Sequence, residues 1–186
     1  MSRPLAPDGG NDRIYTPRYI ANGLVKHFKP SGYMLEPCAG RADYQPFYDA
    51  LRHRSSYVEW CEIDLERDFF EWGTSVDWIV TNPPWGKFRR FLQHSMEVAD
   101  NIVFLCLTNA WYMKARQRDI KEAGFGLVEI AHIETPPAPW PQAGFQLGAG
   151  WLRRGWKGST YVHDLVIPAE EDHLEASVHN LSLQCS

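Results

Sequence analysis

The sequence predicts an α/β fold in which a mainly parallel central sheet carries helices on both faces and is closed by an antiparallel strand pair. Short β-favouring apolar runs alternate with helix-forming stretches along most of the chain, the pattern of strands joined by crossover helices. Two of the runs end in small-residue or stiff loops, Glu36-Pro37-Cys38-Ala39-Gly40 and Asn82-Pro83-Pro84-Trp85, and open α/β sheets bind ligands at such strand ends. The 186 residues suffice for one full core. Residues 1–168 are therefore expected to form a single domain, and the acidic stretch 169–186 a weakly ordered tail.

Thr16 and Pro17 read as the N-cap and first position of a helix running through Phe28. Strands are expected at 33–37, 57–62, 77–81, 102–107 and 125–133, with helices at 45–53, 87–99 and 110–123 between some of them. Residues 144–153 and 159–167 read as the closing antiparallel pair, interrupted by Gly155 and Gly158. The segment Thr135-Pro136-Pro137-Ala138-Pro139-Trp140-Pro141 is a stiff loop of the kind that shapes a substrate entrance.

Asn82-Pro83-Pro84-Trp85 follows the apolar run Val76-Asp77-Trp78-Ile79-Val80, so it stands where a buried strand turns into a loop. Two successive prolines neither continue a ladder nor sit mid-helix, and they hold the backbone rigid. Such rigidity suits a clamp for a planar NH2 group: a carbonyl and an amide oxygen accept its two hydrogens while Trp85 stacks on the ring that carries it. An exocyclic amine has its lone pair delocalised into a π-system, and two acceptors favour a pyramidal nitrogen aimed at an electrophile. Upstream, Gly32 to Gly40 is a strand running into a small-residue turn, able to present backbone N–H groups to a nucleotide-like ligand. Glu62, about 20 residues past that loop, is placed to accept from ribose hydroxyls. Asp68-Phe69-Phe70 offers an acid for an adenine amino group and a ring for its face. Taken singly, Glu36 is equally a strand-end carboxylate, Glu62 and Asp64 solvated turn acids, Phe69 and Phe70 core, and Trp85 a packed ring after a proline turn.

Taken in order, Tyr15-Thr16-Pro17, Leu35 to Gly40, Glu62-Ile63-Asp64, Asp68-Phe69 and Asn82 to Trp85 resemble the motifs of class I S-adenosylmethionine-dependent amino-methyltransferases. The order is similar to that of DNA adenine-N6 methyltransferases, including the small phage-encoded Dam-like kind, and the resemblance covers roughly residues 14 to 107. It implies a Rossmann-like fold with S-adenosylmethionine as cofactor. Thr16 and Pro17 would border the methionine end of that cofactor, Glu36, Cys38 and Gly40 would form the loop beneath it, Glu62 would hold the ribose, and Asp68 and Phe69 the adenine. Asn82 and Pro83, on the stiff support of Pro84, would accept the target amine's hydrogens, with Trp85 stacked on a base flipped out of its duplex. Two departures stand out. Ala42 occupies the place of the family's second loop glycine, which predicts a differently shaped loop. The short step from Glu62 to Asp68 leaves no room for a helix, so either the sheet is trimmed there or one of the two acids has another task.

Charge divides unevenly. Residues 164–186 contribute −5 and the first 163 carry +1, with a net +4 between 86 and 157. Lys87, Arg89 and Arg90 follow the clamp directly, and Arg153 and Arg154 are interleaved with Trp151 and Trp156. Basic residues mixed with aromatics suit phosphate contact plus base stacking, so these five are the candidate substrate contacts and nucleic acid, DNA before RNA, the expected partner. Alternatives are RNA base amine methylation, N5-glutamine methylation of a protein, which the resemblance also allows, and a non-catalytic partner subunit keeping the fold. The four cysteines show no CxxC pairing, which argues for reduced thiols and against a zinc site. No apolar run reaches membrane length and Met1-Ser2-Arg3-Pro4 does not begin a signal peptide. A cytoplasmic enzyme without a metal is expected.

Overall fold

The computed structural model describes residues 14–140, 142 and 146–169; the expected tail beyond 169 lies outside them. Helix α1 spans Arg18–Phe28. Pro17 has an extended ψ of 143° and caps the helix, its carbonyl accepting from Ile20 and Ala21 N–H, so Pro17 takes the N-cap place that the sequence suggests for Thr16. Ile20, Ala21, Leu24, Val25 and Phe28 form the buried stripe of this amphipathic helix.

Seven strands form one sheet: β1 (Met34–Glu36), β2 (Val58–Trp60), β3 (Val76–Thr81), β4 (Ala99–Leu107), β5 (Phe125–His132), β6 (Leu147–Arg154) and β7 (Tyr161–Asp164). Their spatial order is β2-β1-β3-β4-β6-β5-β7. Helices α2 (Pro46–Arg52), α3 (Phe88–Val98) and α4 (Lys114–Glu122) complete the layers. Side chains alternate between two cores. Leu35, Ile79, Ile102, Phe104, Ile130 and Leu152 face one way with the apolar stripe of α3, while Met34, Val80, Val103, Leu105, Ala131 and Ala149 face the other with α1 and α2. Central strands β3 and β4 are buried almost throughout because both faces are covered. No helix of the described residues is long and apolar enough to cross a membrane.

The mixed sheet agrees with the expected class, but the pairing at its far edge differs. β6 inserts between β4 and β5, antiparallel to both, and β7 pairs parallel with β5 instead of forming a hairpin with β6. The link between β6 and β7 crosses the start of β5: Gly155 N–H donates to the Gly124 carbonyl, and Trp156 O lies where a Cβ on Gly126 would stand, 2.4 Å away. A glycine at 126 is what lets that backbone pass, and the crossing delivers the chain to the outer side of β5.

At the near edge the chain leaves β2 through two 3₁₀ turns, Ile63–Leu65 and Phe69–Glu71, and returns directly to β3. The sheet is therefore trimmed at β2, as the short Glu62 to Asp68 spacing suggested. β2 and β3 lie on opposite sides of β1, which opens a crevice at the carboxyl ends of β1 and β3.

Candidate active site at the carboxyl ends of β1, β2 and β3

A cavity of about 680 Å³ fills that crevice, a size suited to a nucleoside-scale ligand with room beside it. Glu36, the last residue of β1, is completely buried on its wall. Its Oε1 accepts from Cys38 N–H (2.8 Å) and Thr81 Oγ1 (2.5 Å), whereas its Oε2 is buried with no hydrogen-bond partner. Burial pushes the carboxyl up to about 8, against the Thr81 and Cys38 hydrogen bonds that favour the charge.

The loop after β1 is tied to β2 by Cys61 N–H to Glu36 O and Ala39 N–H to Cys61 O. Gly40 has φ +88°, and a Cβ there would stand 3.1 Å from Tyr44 O and 3.3 Å from the Tyr15 ring, so glycine is required twice over. Gly40 N–H donates to Glu62 Oε2 (2.8 Å) and Asp64 N–H to Glu62 Oε1 (3.2 Å). Glu62 thus braces both loops from the cavity wall. Ala42 also lines the cavity, but among the described non-glycine residues only Lys29 and Glu66 have positive φ. Its backbone is ordinary, and no strain follows from the missing glycine. Burial raises the Cys38 thiol, so this residue sits in the loop as a neutral small side chain.

Beyond β2, Asp68 caps its 3₁₀ turn by accepting from Phe70 N–H (2.9 Å) and faces the cavity. Phe69 is 2% exposed and stacks on Phe91, with ring centroids 5.3 Å apart. Phe70, one residue on, carries the Arg90 guanidinium 4.4 Å above its ring, and both line the cavity. Ile63, 62% exposed yet on the same wall, is an apolar surface directly after Glu62. The sequence signal for it was its place beside the acid.

At the end of β3, Asn82 Oδ1 is a second buried oxygen without a hydrogen-bond partner. Pro83, Pro84 and Trp85 continue the wall. Trp85 meets Trp140 edge-on, with centroids 6.1 Å apart. Trp140 is buried on the cavity wall, its N–H donating to Pro137 O while Gln142 Nε2 donates to Pro136 and Trp140 carbonyls. The proline segment thereby contributes a cavity residue that the motif order alone did not single out.

The remaining candidates separate. Thr16, Lys87 and Arg90 line the cavity, and Pro17 does not. Arg89 turns to α4, where its guanidinium binds both carboxylate oxygens of buried Asp119 at 2.6 and 2.9 Å. Arg154 binds Asp100 and the Met96 and Ala99 carbonyls, and Arg153 lies over Trp156. Arg153 pairs with Asn101 near the start of β4, the end of the sheet opposite to the cavity. About six residues of strand, roughly 20 Å, separate that level from the carboxyl end of β4. Arg89, Arg153 and Arg154 are exposed, make these intramolecular contacts and stand outside the cavity lining.

No protein-family model and no curated protein matches the sequence. Solved structures do match in shape. A proposed class I S-adenosylmethionine-dependent methyltransferase from Listeria monocytogenes aligns with a TM-score of 0.58 at 11% identity, over 94% of this chain and 72% of the other. The chain has the class I methyltransferase fold. A proposed RNA methyltransferase from Pyrococcus horikoshii aligns with a TM-score of 0.53 at 18% identity, over 75% of this chain and 82% of the other. The M protein of the type I restriction enzyme EcoKI aligns at 0.55 and 16% identity over 90% of this chain, which spans only 53% of that protein. On this methyltransferase fold the two orphaned oxygens, Glu36 Oε2 and Asn82 Oδ1, belong to adjacent strand ends.

Proposed function

We propose that the protein is an S-adenosylmethionine-dependent methyltransferase acting on the exocyclic N6 amine of adenine in DNA. The observation that carries this reading is Asn82 Oδ1, a buried acceptor with no partner on the wall of the large cavity. Leaving such a group unpaired costs about 1–3 kcal/mol, and a target NH2 donates what it lacks.

The residues present fit the cofactor. Glu36 Oε2 is a buried acceptor whose carboxyl a cationic or ammonium-bearing ligand would draw into its charged form, Gly40 allows close approach of backbone, and Glu62 stands at the edge of an apolar wall made by Ile63 and Phe70. When bound, the cofactor supplies a methyl group on a positively charged sulfur; the S–CH3 bond breaks as the N–CH3 bond forms, and the amine's proton leaves to solvent. Asn82 orients the amine by accepting one hydrogen, with the backbone of the rigid Pro83-Pro84 segment beside it for the other. Trp85 and Trp140 offer aromatic surface to a flipped base, and Lys87 and Arg90 offer positive charge to the flanking backbone. These cations at the cavity favour nucleic acid over a peptide amide.

The test is nucleoside mass spectrometry of DNA and RNA from cells with and without the protein. N6-methyladenine is expected in DNA, and far less of it when Asn82 is alanine. A product confined to RNA, or methylglutamine in protein with unmodified DNA, would reassign the substrate.

A further inference from the structure

We propose that His27, Glu129 and His163 form a binding site for one divalent transition-metal ion of the zinc class. The three side chains come from the last turn of α1, from β5 and from β7. His27 Nε2 lies 2.5 Å and His163 Nε2 2.7 Å from the same carboxylate oxygen, Glu129 Oε1. All three ligand atoms fall within 4.8 Å of one another. The side chains are mostly shielded from solvent, at 28, 14 and 18% exposure for His27, Glu129 and His163.

The hydrogen bonding of His163 leaves its Nε2 facing the shared carboxylate oxygen. Its Nδ1 lies 3.1 Å from the Asp164 carbonyl, an acceptor only, so Nδ1 carries the proton. In the neutral ring Nε2 then points a lone pair at a carboxylate oxygen 2.7 Å away. Two acceptors face each other, and a proton or a Lewis acid has to lie between them. His27 presents Nε2 to that same oxygen, with its ring 5.5 Å from that of His163. One proton on His163 with the Nε2–H tautomer of His27 also satisfies the cluster, so it is the convergence of three ligand atoms within 4.8 Å that points to an ion. A single divalent ion uses all three lone pairs at once. A backbone carbonyl on the non-ligating nitrogen is also the outer-shell partner that metal-bound histidines use to fix their tautomer.

Size agrees as well. Bonds of about 2.0–2.1 Å at tetrahedral angles place donor atoms roughly 3.3 Å apart, so the two close pairs need to open by less than about 1 Å, within reach of small side-chain rotations. Two imidazoles and one carboxylate favour zinc over magnesium or calcium, which take mainly oxygen ligands. None of the three residues lines the large cavity, so the inference is independent of the methyltransferase reading. The ion's task there is mechanical. β7 is four residues long, largely exposed and paired through its ladder with β5, and a metal clip would fasten it to α1 as well.

The experiment uses the full chain without a polyhistidine tag, stripped with a chelator and titrated with zinc against a chromogenic competitor, then with cobalt for its visible absorption. One equivalent should bind with a rise in the thermal midpoint. His27→Ala and His163→Ala should each weaken zinc by at least about 10-fold, and so should Glu129→Gln, which keeps the side-chain shape and holds the fold if an alanine variant does not. Absence of a stoichiometric ion on the wild-type chain overturns the proposal. So does zinc binding unchanged by Glu129→Gln and His163→Ala, which would place the ion on other ligands. A wild-type stability that ignores zinc but falls as pH rises through the histidine range would assign the cluster to protons instead.

Discussion

Glu36→Gln isolates the cost of the buried carboxyl in the cavity wall. The ordinary carboxyl value is 4.5 and burial raises that of Glu36 to about 8. Below pH 4.5 folded and unfolded chains both hold the proton; between 4.5 and 8 only the folded chain does; above 8 neither does. The folded state binds more protons across that window, so stability falls as pH rises through it and the loss is complete above about pH 8. At 1.36 kcal/mol per unit the total is of order 4–5 kcal/mol, large beside the 5–15 kcal/mol typical of a domain. Glutamine keeps a carbonyl oxygen for Thr81 Oγ1 and Cys38 N–H and brings no charge, so it removes the window. Urea unfolding followed by tryptophan fluorescence from pH 5 to 9 should show wild type and variant close together at pH 5 and diverging upward, the variant more stable by several kcal/mol at pH 8.5. A constant difference between the two across the range would refute the assignment. A cationic ligand beside Oε2 reverses the balance by favouring the carboxylate, so wild-type affinity for S-adenosylmethionine should climb toward pH 8 while that of the variant stays flat.

Asn82→Ala should lower turnover roughly 100-fold with cofactor affinity nearly unchanged, because the lost acceptor acts on the transition state; single-turnover rates alongside calorimetry separate the two. Gly40→Ala meets both a left-handed backbone and the Tyr44 carbonyl, so calorimetry should register weaker cofactor binding in a variant whose circular dichroism is unchanged. Arg90→Ala should reduce the salt slope of oligonucleotide binding by about one. By contrast, Arg154→Ala should leave that slope alone and lower the urea midpoint, since its guanidinium holds Asp100 and two carbonyls; equal slopes for the two variants would contradict their placement.

Strand-end motifs were legible because order along the chain fixes them. A small-residue turn, an acid about 20 residues on and an Asn-Pro-Pro string each terminate a strand of one parallel sheet, and parallel strands bring such ends to one edge. Glu36, Gly40, Glu62, Asp68, Asn82 and Trp85 accordingly share one cavity. Direction around an element was not legible in the same way. Arg89 and Arg90 are neighbours in sequence, but successive residues of a helix are rotated by about 100°, enough to send Arg89 to Asp119 and Arg90 to Phe70. Phe69 and Phe70 both line the cavity, Phe69 almost fully buried against Phe91 and Phe70 beneath the Arg90 guanidinium.

Features assembled from distant elements left the weakest trace. The β6 and β7 segments adjoin in sequence and read as a hairpin, yet the glycine at 126 that admits the crossing lies on a third strand. The expectation of no metal rested on cysteine spacing, which bears on thiolate sites alone. His27 and Glu129 are 102 positions apart, and Glu129 and His163 are 34 apart, so no local spacing marks them as a set. What brings them together is the parallel placement of β7 outside β5, with Glu129 opposite Tyr161 and Ala131 opposite His163. Had β7 paired antiparallel with β6, as its sequence position suggests, β6 would have stood between His163 and Glu129. The corrected edge topology and the meeting of His27, Glu129 and His163 are thus one structural fact, and a glycine-to-alanine change at 126 that displaced the crossing backbone would loosen both together.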